Sequence, residues 1–74
     1  MSFMFYEVWA VDEDGREELV GSTSSRSDAQ KMAQTALEEN EQYLEIWIGE
    51  ENEEGDLAEI DRLTITESGS IVKV

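Results

Sequence analysis

Residues 27–40 read SDAQKMAQTALEEN, the stretch of this chain with the clearest helical repeat. Small or apolar residues recur there at the i, i+3, i+4, i+7, i+8 spacing that gives a helix one apolar face. They are Ala29, Met32, Ala33, Ala36 and Leu37. Ser27 with Gln30 three residues later fits a capping box at the helix start, and Asn40 is the expected end. Because most of the apolar stripe is alanine, the sequence predicts a helix that lies close against a sheet.

Five other segments have the alternation or composition of β-strands. They are residues 3–11, 16–23, 43–49, 57–66 and 71–74. The first segment is apolar on both faces, which is typical of a strand inside a sheet. The second has few strongly apolar residues and suits a sheet edge. In the fourth, the alternation changes phase near Ile60 and Asp61, which predicts a β-bulge or a bend.

The elements follow one another in the order ββαβββ, which predicts a single small α+β domain spanning residues 1–74. A helix of about 14 residues rises roughly 21 Å, close to the length of one strand. The helix can therefore return the chain across the sheet, and a right-handed crossover places the first strand between the second and the third. We expect a single antiparallel sheet of four to five strands, in the order 2-1-3-4-5, with one helix packed on one face.

One helix covers only one face of such a sheet. Strand alternation places an apolar set under the helix, namely Met4, Tyr6, Val8, Leu44, Ile46 and Ile48. The opposite face receives four aromatic side chains: Phe5, Trp9, Tyr43 and Trp47. Large apolar patches are uncommon on monomeric proteins, so these four are the candidate interface residues. The alternative is that C-terminal residues such as Leu63 or Ile65 cover the patch within the same chain.

The chain is strongly acidic and lacks two reactive residue types. It has 5 Lys+Arg against 19 Asp+Glu, a formal net charge of −14, and no His or Cys. Without His or Cys there is no Ser-His-Asp triad, no thiolate nucleophile and no usual zinc or haem ligand set. An aromatic sheet face can stack nucleic-acid bases, but that binding needs basic surroundings, and Glu7 and Glu45 lie in this patch. We expect a non-enzymatic protein with no cofactor, no metal and no direct nucleic-acid contact.

The acidic residues concentrate at two places. Three glutamates follow the helix and four more crowd one turn: Glu38, Glu39 and Glu41, then Glu50, Glu51, Glu53 and Glu54. The simpler interpretation is a solvated surface, including adaptation to high salt. The alternative is an acidic nucleic-acid mimic, whose carboxylates occupy the phosphate sites of a DNA- or RNA-binding protein. Mimicry requires the two clusters to line up on one side of the molecule.

The start of the chain lacks the basic residues and the cleavage site of a signal peptide. No segment approaches the roughly 20 apolar residues of a membrane span. Cysteine, which small secreted domains usually need for disulfides, is absent. The sequence therefore predicts a cytoplasmic protein without membrane contact. The favoured function is a protein–protein interaction module that self-associates as a homodimer through the aromatic face.

Overall fold

A computed structural model describes residues 5–74, which contain one helix and five strands. In chain order they are β1 (Phe5–Asp12), β2 (Glu17–Thr23), α1 (Arg26–Glu39), β3 (Tyr43–Glu51), β4 (Leu57–Ile65) and β5 (Ile71–Lys73). The strands form one sheet in the order β2-β1-β3-β4-β5, and every neighbouring pair is antiparallel. The predicted α+β fold, with ββαβββ order and a single helix packed against the sheet, is confirmed.

Two of the hairpin turns are built in the same way, from an Asp or Asn side chain and a glycine. Asp12 Oδ1 accepts hydrogen bonds from two backbone N–H groups of the β1–β2 turn, both at 2.9 Å. Gly15 closes that turn with a φ of +80°, which residues with a side chain rarely adopt. Asn52 and Gly55 have the same roles between β3 and β4. These local contacts fix where each hairpin turns and so help to set its register.

The core lies between α1 and the middle strands. The helix contributes small buried residues and one leucine: Ala29, Ala33, Ala36 and Leu37. Beneath them, the sheet contributes Tyr6, Val8, Ala10, Ile46 and Ile48. The alanine stripe therefore lets the helix pack closely on β1 and β3, as predicted. Met4, which was predicted to lie in this layer, is outside the described residues.

The prediction that Leu44 lies under the helix is wrong. Asp12 pairs with Tyr43 and Val11 with Glu45, so Leu44 is the extra residue of a β-bulge. Its side chain is 45% exposed. The bulge moves Tyr43 to the helix side of the sheet, where it packs against the core.

A second bulge lies in β4, where the sequence predicted one. Ile48 pairs with Asp61 and Gly49 with Glu59, which leaves Ile60 as the extra residue. The bulge changes the phase of the strand, so that Asp61 faces the helix. Asp61 is 5% exposed, and among the described residues it is the one charged side chain that is buried.

The N-cap of the helix lies two residues earlier than predicted. Ser25, not Ser27, is the N-cap, and its Oγ accepts a hydrogen bond from the backbone N–H of Asp28 at 3.3 Å. At the other end, the expected stop at Asn40 is confirmed. The Asn40 side-chain amide and backbone N–H both donate to the carbonyl oxygen of Ala36, at 2.9 and 3.1 Å. Ser25 and Ser27 are close together in the sequence, and the capping-box pattern pointed to the wrong one of the two.

The two serines can be separated by mutation. Ser25→Ala is expected to lower the free energy of unfolding by about 0.5–2 kcal/mol, because it removes the acceptor for a helix N-terminal N–H. Ser27→Ala is the matched control and should cost less than about 0.5 kcal/mol, since it loses only a hydroxyl contact with Ser25 at 3.0 Å. Urea unfolding followed by circular dichroism measures both. Equal losses in the two variants would contradict the assignment of Ser25 as the cap.

Candidate protein-binding surface

Two tryptophans lie side by side on the sheet face opposite α1. Trp9 of β1 and Trp47 of β3 are register partners. Their rings are stacked, with centroids 5.9 Å apart and planes within 10° of parallel. The residues on either side of Trp9, Val8 and Ala10, are fully buried under the helix. Strand alternation therefore directs Trp9 to the other face.

We call this surface the Trp face and define it by strand register. It consists of Phe5, Glu7, Trp9 and Val11 of β1, Glu17, Leu19 and Ser22 of β2, Glu45, Trp47, Gly49 and Glu51 of β3, Leu57, Glu59, Arg62 and Thr64 of β4, and Val72 of β5. The one helix of residues 5–74 packs on the opposite side. The Trp face is thus a sheet face with no second layer in the described part of the chain.

The two indole N–H groups have different surroundings. Trp47 Nε1 donates to the carboxylate of Glu17 at 2.7 Å, which joins β3 to β2 across β1. Trp9 Nε1 is buried and has no hydrogen-bond partner among the described residues. An unsatisfied buried donor costs about 1–3 kcal/mol. Packing against its neighbours therefore positions Trp9, whereas a charge-assisted hydrogen bond also holds Trp47.

Arg62 is the basic residue of the Trp face and lies opposite Trp47. Its guanidinium forms ion pairs with Glu45 at 2.6 Å and Glu59 at 2.7 Å. The hydrogen bond from Arg62 holds the pKa of Glu59 below its usual value. In turn, the bonds to Glu59 and then Glu45 raise the pKa of Arg62, against the opposing effect of burial. One guanidinium thus offsets two carboxylates beside the stack.

Acidic side chains surround the tryptophan stack. They are Glu7, Glu17, Glu45, Glu51 and Glu59. These five carboxylates, set against the single guanidinium of Arg62, leave the Trp face with a net formal charge of four negative. Its centre is therefore apolar and its rim is acidic.

The structure brings together only part of the predicted aromatic patch. Trp9 and Trp47 are in contact. Phe5 shares their face but lies near the end of β1, opposite Glu51, and is 44% exposed. Tyr43 is not on this face, because the bulge at Leu44 turns it to the helix side. The placement of Tyr43 in the aromatic patch is therefore wrong.

On the helix side, the Tyr43 hydroxyl donates to Glu18 at 2.8 Å. This hydrogen bond raises the pKa of Tyr43 above its usual value, and the nearby charge and burial add to the effect. Leu63, which was considered as a cover for the aromatic patch, also packs against the core. It pairs with Ile46 and so shares the helix side of the sheet. Leu63 therefore leaves the tryptophan stack uncovered.

Asp61 is the centre of a charged cluster that was not predicted from the sequence. Its carboxylate accepts hydrogen bonds from Lys73 at 2.8 Å, Arg26 at 3.1 Å and Gln30 at 3.5 Å. The bond from Lys73, followed by those from Arg26 and Gln30, holds the pKa of Asp61 below its usual value despite burial. The cluster borders a cleft of about 220 Å³. Because the three donors come from β5 and α1, we interpret Asp61 as a structural link between these elements.

The two acidic clusters lie at opposite ends of β3. Glu38 and Glu39 end α1 and Glu41 lies just before Tyr43, where β3 begins, whereas residues 50–54 occupy the far end of β3 and the following turn. A strand of nine residues spans about 27 Å at roughly 3.3 Å per residue. The two clusters are therefore separated by about the length of the strand.

Within residues 5–74, no group of three or more His, Cys, Asp or Glu side chains is arranged to hold a metal ion. The helix in this range is too short and too polar to cross a membrane. No family model, curated protein or solved structure matches this chain.

Proposed function

We propose that this chain is a non-enzymatic protein-binding module that forms a homodimer through the Trp face. The observation that carries the proposal is the stack of Trp9 on Trp47 at the centre of a sheet face without a second layer. Sheet faces with apolar side chains are normally buried against another layer of structure. In the described residues that layer is absent, so a second molecule is the natural source.

A second copy of the chain offers a surface of matching shape and chemistry. Two sheets pack face to face at about 10 Å, with their strands roughly aligned. A two-fold contact of this kind brings the same patch of both copies together. Each tryptophan stack would then pack on the apolar centre of the other copy, and each Arg62 would lie close to additional carboxylates.

The size and charge of the Trp face predict a weak dimer. Five strands about 4.8 Å apart, with a mean length of about seven residues, present roughly 570 Å². A stable interface typically buries about 800 Å² per partner. The net negative charge of each face also opposes association, and salt screens that repulsion. We expect association at high micromolar concentration, tightening as salt is added.

We also propose that the module is cytoplasmic, since a small domain without cysteine suits a reducing compartment. The remaining acidic residues then form a solvated surface, which is compatible with high internal salt. The charge itself is a consequence of composition and supplies no catalytic group. Comparing the association of the chain at low and at high salt tests the dimer and also reports how strongly these charges repel one another.

Sedimentation velocity at high micromolar concentration tests the proposal. The experiment compares about 10 mM with about 1 M NaCl, between which the Debye length falls from about 30 Å to about 3 Å. We expect a monomer at low salt and a shift toward dimer at high salt. A chain that stays monomeric at high salt would refute the homodimer. If the chain instead binds a basic nucleic-acid-binding protein in a separate mixing experiment, that result would favour the nucleic-acid mimic.

Two neighbouring residues supply matched variants for this test. Leu19 lies beside Trp9 on the Trp face and is 47% exposed, whereas Val20 is 36% exposed and faces α1. Leu19→Glu is expected to abolish the dimer and Val20→Glu to retain it, although both add one charge to the same strand. Trp47→Glu should also give monomer, but it loses the ring stack as well. Equal loss of dimer in the Leu19 and Val20 variants would show that charge, not the Trp face, controls association.

A further inference from the structure

The outer edge of β2 is a second surface with unused binding capacity. This strand pairs with β1 on one side and with no described strand on the other. Its first four residues, 17–20, are all exposed. An edge strand presents backbone N–H and C=O groups that can pair with an added strand.

A groove runs beside this edge, between β2 and α1. It has a volume of about 380 Å³, more than ten times the share of one liquid water. Its floor is apolar, formed by Val20, Met32 and Ala36, and its rim carries Lys31 and Glu39. The groove is therefore large enough for an aliphatic side chain of a strand paired with β2.

A β-bulge explains why the groove has this floor. Val8 pairs with Gly21 and Trp9 with Leu19, which leaves Val20 as the extra residue of β2. Val20 and Gly21 consequently both face α1. A Cβ at Gly21 would overlap the terminal methyl group of Met32, so glycine at this position leaves room for the Met32 side chain against the strand.

Charge indicates which kind of strand fits this edge. Glu17 and Glu18 lie on the exposed half of β2, and Glu39 lies across the groove. Lys31 is the single basic residue that lines the groove. A second copy of β2 would bring two more glutamates beside Glu17 and Glu18, and like charges close together are unfavourable in a strand pair. A basic strand would instead find complementary charges.

We propose that the edge of β2 at residues 17–20 binds an extended, basic segment of a partner protein, which adds a sixth strand and inserts an aliphatic side chain into the groove. In this mode of recognition, main-chain hydrogen bonds supply affinity and side-chain pockets supply specificity. The bulge at Val20 interrupts the edge, so the added strand pairs with only a short stretch of β2. The edge shares Glu17 and Leu19 with the Trp face, but it binds through the backbone of β2 and the groove on the helix side, and it does not depend on the homodimer.

The test is an NMR titration of the full chain, labelled with ¹⁵N, at roughly physiological salt. The probe is a synthetic peptide of alternating arginine and valine. We expect the largest amide shifts at residues 17–20 and at Met32 and Ala36. A control peptide with proline at its centre removes a backbone donor and is expected to bind at least about ten-fold more weakly. Equal binding of the two peptides, or shifts spread over all acidic surfaces, would overturn the proposal.

Matched variants separate groove binding from general attraction between opposite charges. Val20→Glu should weaken binding of the arginine–valine peptide about ten-fold, whereas Leu19→Glu, which adds the same charge on the other face, should change it by less than about two-fold. Gly21→Ala adds no charge but displaces the terminal methyl group of Met32, which lines the groove, and should also weaken binding. Equal effects of the Leu19 and Val20 variants, or shifts concentrated at the tryptophan indoles, would overturn the proposal. Sedimentation of the same variants reports the homodimer independently.

Discussion

Replacing both Arg26 and Lys73 with methionine is expected to lower the free energy of unfolding by about 3–5 kcal/mol, the usual cost of leaving a buried charge without its partners. Asp61 is 5% exposed and would keep only the hydrogen bond from Gln30, at 3.5 Å. A chain of 74 residues has a total stability of about 4–11 kcal/mol, at about 0.05–0.15 kcal/mol per residue. The double variant is therefore expected to be close to unfolding at neutral pH.

The pH dependence of this variant should have the opposite sign from that of the parent protein. In the parent, the pKa of Asp61 is lowered in the folded state. Its stabilising contribution is therefore present above the ordinary pKa of aspartate and is lost as pH falls through the folded-state pKa. In the double variant, burial without cations should raise the pKa of Asp61 in the folded state. The penalty should then shrink as the carboxylate is protonated.

Urea unfolding of both proteins at about pH 7 and about pH 4 measures this difference. Adding Asp61→Asn to the double variant is the control, since it removes the charge but keeps the shape of the side chain. This triple variant should recover part of the lost stability at neutral pH. A double variant with the same loss at both pH values, or one that Asp61→Asn does not rescue, would show that the buried charge is not the source of the instability.

The second large effect is expected for Ile46→Ala. Ile46 is fully buried, between Ala10 on one neighbouring strand and Leu63 on the other. Truncating a buried isoleucine to alanine typically costs about 2–5 kcal/mol, because it removes apolar contacts and leaves a cavity. A loss of this magnitude would remove a large part of the total stability of about 4–11 kcal/mol.

Leu44→Ala is the matched control for Ile46→Ala, since both residues are on β3 and occupy alternate positions. Leu44 is 45% exposed at the bulge, so its truncation should cost less than about 1 kcal/mol. Strand alternation alone would place both residues in the core and predict similar losses. Chemical unfolding curves for the two variants therefore decide between regular alternation and the bulged strand.

The strand order was predictable because it depends on features that a sequence carries locally. The spacing of apolar residues in α1 defines the helix, and its length fits one crossing of the sheet. A right-handed crossover then leaves one position for β1. The bulge at Ile60 was visible as well, because the alternation of apolar residues changes phase there.

Other features were not predictable, for different physical reasons. The apolar alternation through Leu44, Ile46 and Ile48 is unbroken in the sequence, so nothing local marks the bulge that moves Tyr43 to the helix side. The role of Asp61 depends on Arg26 and on a residue of β5, which are distant in sequence and meet it only in the folded sheet. The residue pattern of one sequence contains little information about contacts between residues that are far apart in the chain.

Within the candidate interface, the sequence correctly placed Trp9 and Trp47 on one face, because regular alternation holds on both sides of each residue. It missed the contribution of Leu19, since β2 has weak alternation and its bulge at Val20 alters the phase. It also missed Arg62, which reaches the tryptophan pair only through the register of β4 with β3. Register between distant strands is the information that the sequence pattern lacked.

The stacked indoles also give the molecule an intrinsic optical reporter. The chain has two tryptophans, and both are in the stack, so its tryptophan emission comes entirely from the Trp face. Two parallel rings 5.9 Å apart are close enough for their excited states to couple, which should produce a near-ultraviolet dichroism signal that disappears when β1 and β3 separate. Occupancy of the Trp face should shift and quench this emission strongly, whereas a strand bound at the outer edge of β2 should affect it less, through Glu17, whose carboxylate accepts the Trp47 indole N–H. Tryptophan fluorescence of the unlabelled protein can therefore distinguish binding at the Trp face from binding at the edge of β2 in one sample.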